Sequence, residues 1–279
     1  MSTNTITKTW FITGASKGFG REWTEAALER GDRVAAVSRS AGQSDSAFDD
    51  LVGKHGDAIL PIQLDVTDRD AVFGAVQHAV DHFGALDVIV NNAGYGLFGM
   101  VEEVSAQQAR DQVDVNLFGP LWVTQAVLPH LRARGSGHII QVSSIAGVFS
   151  LPGLGLYHAS KFGLEGFTAS LAAEVRDFGI NVTLVEPAGY ATDWAGPSAV
   201  HADRSATYDD FRAGMARPAG KRGDPQATRE AILTVVDADE PPLRIFFGRG
   251  PLEVITKEYG ARIDEWQRWD DVSRAAFGA

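Results

Sequence analysis

Tyr157 and Lys161, in the stretch YHASK, stand four residues apart. On a helix that spacing puts both on one face, one turn apart, so the ammonium can lie beside the phenol. A free tyrosine ionises near ~10, and a neighbouring cation favours its phenolate, bringing the group within reach of general acid/base work at neutral pH. An isolated pair of this kind is usually an ordinary surface pair, so its meaning depends on its company.

A second stretch, FITGASKGFGRE at residues 11–22, fits two chemistries. Gly14-Ala15-Ser16-Lys17-Gly18 matches the G-x-S-x-G turn that presents a serine nucleophile. Gly14, Gly18 and Gly20 also make a glycine-rich turn between an apolar strand and a helix, where unpaired N–H groups and the helix dipole favour a pyrophosphate. A nucleophile elbow follows a central strand, whereas this turn follows the first strand and no evident oxyanion loop precedes it. Gly20 has no part in the elbow reading. A Walker loop needs Gly-Lys-Ser/Thr in succession, and here Lys17 precedes Gly18. What remains is an anion cradle in which Ser16 is a hydrogen-bonding loop residue.

The elements that must position these residues show in the hydropathy pattern. Val- and Ile-rich runs at 9–13, 33–38, 58–64, 86–90, 138–143, 180–186 and 243–248 read as buried parallel strands. Helical segments at 20–31, 69–84, 106–135 and 157–179 alternate with them, which implies a doubly wound α/β sheet with right-handed crossovers. Residues 188–224 read as a long loop with one or two short helices, and loops of that length are usually functional or disordered. The tail from Pro251 reads as helical, with Trp266 and Trp269 on one face.

Composition narrows the choices. A chain of 279 residues, 44% hydrophobic, can bury one substantial core. A formal net charge of -11 argues against nucleic acid as a partner, which would need a basic patch. The absence of cysteine excludes disulfides, thiolate metal sites and a catalytic thiol. His78 and His82 lack the His-Glu-x-x-His pattern, so no metal is expected. The opening MSTNTITKTWFITG has too short an apolar run for a signal peptide or membrane span, and a cytoplasmic protein is expected.

Further landmarks fall in order. Asn91-Asn92-Ala93-Gly94 ends the fourth strand, Ser143-Ser144 ends the fifth, and Tyr157 follows Ser144 by thirteen residues. With Thr13-Gly14-x-x-x-Gly18-x-Gly20 in front, this series resembles the short-chain dehydrogenase/reductase family over almost the whole chain. VEPAGYATDW and the long C-terminal extension look most like its 17β-hydroxysteroid-dehydrogenase-like single-domain branch.

The resemblance implies a Rossmann-like single domain over 1–279, with about seven parallel strands, a substrate lid at 188–224 and a helical extension at 251–279. It implies hydride transfer between a nicotinamide and a hydrophobic carbonyl or secondary alcohol. Tyr157 would be the general acid/base, with Lys161 tuning it and touching the nicotinamide ribose. Ser144, rather than Ser143, would donate to the substrate oxygen, and Asn116 would join a proton relay through a water. Implied cofactor contacts are Gly14, Ser16, Lys17, Gly18, Phe19 and Gly20 in the turn, Arg39 after the second strand, and Asp65 and Val66 after the third. Asn92, Ala93 and Gly94 follow the fourth strand, and Pro187, Tyr190 and Thr192 follow the sixth; Tyr157 and Lys161 complete the set.

At the end of the second strand, an acid would hold the ribose 2′-hydroxyl of NAD, whereas an arginine accommodates the 2′-phosphate of NADP. Val37-Ser38-Arg39 carries no acid, and Lys17 adds a second cation, so NADP(H) is expected over NAD(H). One departure is Ala188, which stands where the family usually has glycine. Loop residues such as Tyr95, Phe98, Phe149, Tyr190 and Trp194 suggest a pocket for a hydrophobic substrate. A homo-oligomer, dimer or tetramer, is inherited from the resemblance. Two other classes stay open. A catalytically idle dinucleotide-binding regulator would not need Ser144, Tyr157 and Lys161, and a nucleotide-sugar epimerase or dehydratase would carry a Gly-x-x-Gly-x-x-Gly turn, unlike the interval from Gly14 to Gly18.

Overall fold

A computed structural model describes residues 7–41, 47–215 and 220–278. Residues 216–219 of the expected 188–224 loop, and residues 1–6, 42–46 and 279 of the expected domain, lie outside the described residues.

The chain opens with β1 (Thr9–Thr13), α1 (Gly18–Arg30), β2 (Arg33–Ser38), α2 (Asp49–His55), β3 (Ile59–Gln63), α3 (Arg69–Phe83) and β4 (Val88–Asn91). It continues through β5 (Leu97–Phe98), α4 (Ala106–Val113), α5 (Gly119–Arg134), β6 (Gly137–Val142), α6 (Gly155–Val175) and β7 (Ile180–Pro187). Then follow β8 (Val200–His201), α7 (Asp209–Met215), α8 (Arg229–Asp237), β9 (Arg244–Phe247), α9 (Pro251–Arg268) and α10 (Asp270–Phe277). Seven strands form one parallel sheet in the order β3-β2-β1-β4-β6-β7-β9. The seven expected strands are those seven; β5 and β8 make a separate two-stranded pairing.

β1 shows why the strands lack polar alternation. All five of its residues are buried. Phe11 packs on one face of the sheet with residues of α3, α5 and α6, while Trp10 and Ile12 pack on the other with residues of α1 and α8. Helices on both faces leave no wet side for a polar residue to occupy. A cross-link ties the second layer together: Trp23 Nε1 donates to Thr228 Oγ1 at 2.8 Å, pinning α1 to the turn that leads into α8.

Two local features differ from the sequence reading, and the tail adds a third observation. The helix expected over 106–135 is broken by a π-helical turn at Asp114–Phe118, and Asn116 sits buried inside that turn. α2 and α8, both short, fall where no helix was expected. The tail is helical as expected, yet only Pro251 of α9 is buried, and Trp266 and Trp269 are 64% and 62% exposed. No described helix is long and apolar enough to cross a membrane.

Candidate active site

The C-terminal ends of β1, β2, β3, β4, β6 and β7 open onto a single cavity of about 1050 Å3. This is where an open α/β sheet reverses its strand order, and where ligands of such sheets bind. One end is the glycine turn. Gly14 and Gly18 adopt φ of +64° and +56°, which a side chain would strain. A Cβ on Gly20 would run into the Gly14 carbonyl. α1 starts without a side-chain cap, which leaves its N-terminal N–H groups for an anion. A pyrophosphate fits this cradle.

Asn92 staples the turn to the next strand. Its Nδ2 donates to the carbonyls of Thr13 at 3.0 Å and Gly14 at 3.1 Å, while Thr13 Oγ1 accepts from the N–H groups of Asn92 and Ala93. Arg39 lies at the mouth, lining the cavity with Ser16 and Lys17, and its guanidinium makes no ion pair among the described residues. Asp65 also lines the cavity, and its Oδ1 accepts from the N–H and hydroxyl of Thr67.

At the other end, α6 presents Tyr157 and Lys161, both buried. Lys161 Nζ donates to the Val142 carbonyl at 2.8 Å and lies 5.9 Å from the centre of the Tyr157 ring. Burial pushes the Tyr157 phenol up to about 12, against the pull of Ser144 and Trp194, which face it. Burial also draws Lys161 down to about 8, opposed by the charge of Glu165. Desolvation is the largest influence on the phenol, so Tyr157 holds its proton at neutral pH. In that state it can donate a proton. Ser144 Oγ accepts from the N–H of Ala146 at 3.1 Å, which fixes the hydroxyl beside the phenol.

The cavity brings together Gly14, Ser16, Lys17, Gly18, Phe19, Arg39, Asp65, Val66, Asn92, Ala93, Gly94, Ser144, Tyr157, Lys161, Pro187, Tyr190 and Thr192. Gly20 and Asn116 stand one layer behind. Gly20 is a packing position, as its contact with Gly14 requires. Asn116 Nδ2 donates to the Tyr95 carbonyl at 3.0 Å and to Ser160 Oγ at 3.3 Å, and its Oδ1 accepts from the Tyr95 N–H at 3.1 Å. Its side chain thus holds the Gly94-Tyr95 turn against α6.

Lys17 also does more than expected. Its ammonium pairs with Asp193 at 3.5 Å and donates to Ser198, so the glycine turn grips the segment after β7. Ala188 is accommodated by a second small residue: a Cβ on Gly248, at φ +120°, would lie 2.8 Å from the Ala188 Cβ. His158 is a further residue that the motifs did not single out. Its Nε2 accepts from the Leu151 N–H at 2.9 Å, so the proton resides on Nδ1, which donates to the Ala146 carbonyl at 2.9 Å. The imidazole thereby fixes the loop that carries Ser144. Its place directly after Tyr157 was the available signal.

The comparisons with known proteins agree with this geometry. A family model described as short chain dehydrogenase matches residues 8–202. The chain is 39% identical over 277 residues to oxidoreductase BOA17 of Botryotinia fuckeliana, covering 97% of this chain and 100% of that one. It superposes on a short-chain dehydrogenase from Streptomyces avermitilis with a TM-score of 0.88 and 35% identity, over 96% of this chain and 98% of the other. A 3-ketoacyl-(acyl-carrier-protein) reductase from Brucella melitensis, complexed with NADH, matches at 27% identity and a TM-score of 0.72 over 87% and 98% of the two chains. A parallel sheet with its cavity at the strand ends, a full-length oxidoreductase relative and a family model spanning the cradle lead to one conclusion: this chain belongs to the short-chain dehydrogenase/reductase family and is an NAD(P)-dependent oxidoreductase.

Proposed function

We propose that the protein reduces a hydrophobic ketone or aldehyde, or oxidises the matching secondary alcohol, with NADP(H) preferred over NAD(H). The observation that carries the reading is the meeting of Tyr157, protonated at neutral pH, with Ser144 at the end of a cavity whose other end holds the glycine turn and Arg39. When bound, the nicotinamide supplies or takes up the hydride. Tyr157 gives its proton to the substrate oxygen, Ser144 orients that oxygen, and buried Lys161 keeps a positive charge near the phenolate left behind. Arg39 and Lys17 favour the 2′-phosphate, although the Brucella reductase carries NADH. Phe149, Leu151, Leu154 and Trp194 give the substrate end its apolar walls, and Phe98 stands behind Trp194.

The same proposal assigns 1–279 to one catalytic unit, 188–224 to its substrate lid and 251–279 to a helical extension, in a cytoplasmic homo-oligomer of the 17β-hydroxysteroid-dehydrogenase-like branch. The test is a panel of ketones and alcohols followed by NADPH absorbance. Tyr157→Phe deletes only the hydroxyl, so turnover should fall by about 10²- to 10⁴-fold while NADPH affinity, read by fluorescence, holds. Near wild-type hydride transfer in that variant, with chemistry rate-limiting, refutes the mechanism.

A further inference from the structure

The indole of Trp194 leans over the Tyr157 ring, with centroids 4.9 Å apart and planes tilted by 55°. Phe98 backs it at 5.2 Å. Its Nε1 is shut away from solvent yet completes no hydrogen bond, a state that a buried donor occupies only at a cost. The indole lies beside the Tyr157 phenol, and both Trp194 and the Ser144 hydroxyl act on it, pulling against its burial.

The indole is held there from two sides. Thr192 Oγ1 accepts from the Trp194 main-chain N–H at 3.5 Å. Gly96 passes so close that a Cβ on it would lie 2.8 Å from Cε2 and Cζ2, the carbons at the N–H edge of the indole. The Gly96 carbonyl in turn accepts from the Val200 N–H at 2.9 Å, where β5 pairs with β8. An unpaired donor with such support is pre-arranged for an acceptor that arrives later.

We propose that Trp194 is a third hydrogen-bond donor to the substrate oxygen, its indole N–H joining the hydroxyls of Tyr157 and Ser144 around the carbonyl. This rests on the catalytic reading of Tyr157 and Ser144 given above. In reduction the carbon receives a hydride and the oxygen receives the Tyr157 proton; Trp194 transfers neither. Its N–H stabilises the negative charge first on the carbonyl oxygen and then on the Tyr157 oxygen.

The test compares Trp194→Phe, which keeps an apolar ring without the N–H, with Trp194→His, which keeps a ring N–H, and with Gly96→Ala, which displaces the indole. With the best ketone of the panel, kcat should fall about 100-fold in Trp194→Phe, the low end for loss of one oxyanion donor, with NADPH affinity within twofold of wild type. Trp194→His should recover part of the loss, and Gly96→Ala should copy Trp194→Phe. A readout free of turnover is the indole N–H resonance that Trp194→Phe removes, which should shift when cyclohexanone is added to the wild-type protein. Unchanged or raised kcat in Trp194→Phe, alongside a dead Tyr157→Phe, overturns the role of Trp194 alone. A wild type that reduces no ketone overturns both readings.

Discussion

Lys17 and Asp193 tie the glycine turn to the segment after β7, Nζ to Oδ2 at 3.5 Å, and both side chains are about half exposed, 56% and 50%. A pair so exposed contributes about 0–1 kcal/mol. An anion that recruits Lys17 must therefore draw it away from Asp193, at little cost. Asp193→Asn should tighten NADPH binding by roughly two- to fivefold at low salt, the range such a pair allows, with the gain shrinking as salt is added. Fluorescence titration checks this; weaker binding in the variant would mean that Lys17 serves only the loop contact.

Arg39 carries the cofactor preference more directly. Arg39→Asp removes a charge-assisted bond worth about 1.5–3 kcal/mol and sets an anion beside the 2′-phosphate. NADPH efficiency should drop by about tenfold or more while NADH is relatively favoured. A wild-type kcat/KM higher with NADH than with NADPH would overturn the assignment.

Gly248 and Ala188 form a matched pair, since the methyl of one fills the space that the other leaves open. Gly248→Ala should destabilise the fold by about 1–3 kcal/mol through overpacking, with strain at φ +120° added to it. Ala188→Gly should relieve the packing part but not the backbone part. Chemical denaturation of both single variants and the double variant separates the two; simple additivity would show that the residues do not communicate.

Two buried groups bound the pH range of stability. Burial first, then the charge of Glu165, raises Glu186 to about 8, and its nearest cation, Arg244, lies 3.8 Å away. The folded state therefore binds a proton between pH 4.5 and 8 that the unfolded state lacks, so stability falls as pH rises through that window. His138 behaves oppositely: burial draws it down to about 4, so stability is lost as pH falls from 6.5 to 4. Glu186→Gln should flatten the alkaline side. Urea midpoints at acid-neutral and alkaline pH read the difference, and an unchanged gap between them would count against Glu186 as the cause.

The strands and the cradle were legible because each follows from local rules. β1 is apolar throughout, and Gly14 and Gly18 need a backbone that other residues resist. Asn116 shows where legibility stops. Its residue type and position marked it, but the π-helical turn and the bonds to Tyr95 depend on a partner twenty-one residues away in sequence. Burial was equally hidden: the spacing of Tyr157 and Lys161 announces a charge next to a phenol, whereas desolvation is set by residues brought in from other loops, such as Ser144 after β6 and Trp194 after β7. The Lys17 contacts to Asp193 and Ser198 have no signature in spacing at all. α2 and α8 escaped because seven and nine residues are too few for a helical period to stand out.

The strand order has a consequence for biosynthesis. β1 lies at the centre of the sheet, paired with β2 on one side and with β4 on the other. β2 ends at Ser38, whereas β4 ends only at Asn91. At ~5–20 residues per second, the ribosome takes roughly 3–10 s to make the intervening chain. During that time Trp10, Phe11 and Ile12 have one hydrogen-bonding edge open and no completed layer of helices over them. The nascent first third is thus the species a holdase chaperone would capture, and a ribosome stalled before Asn91 would present it an apolar strand edge.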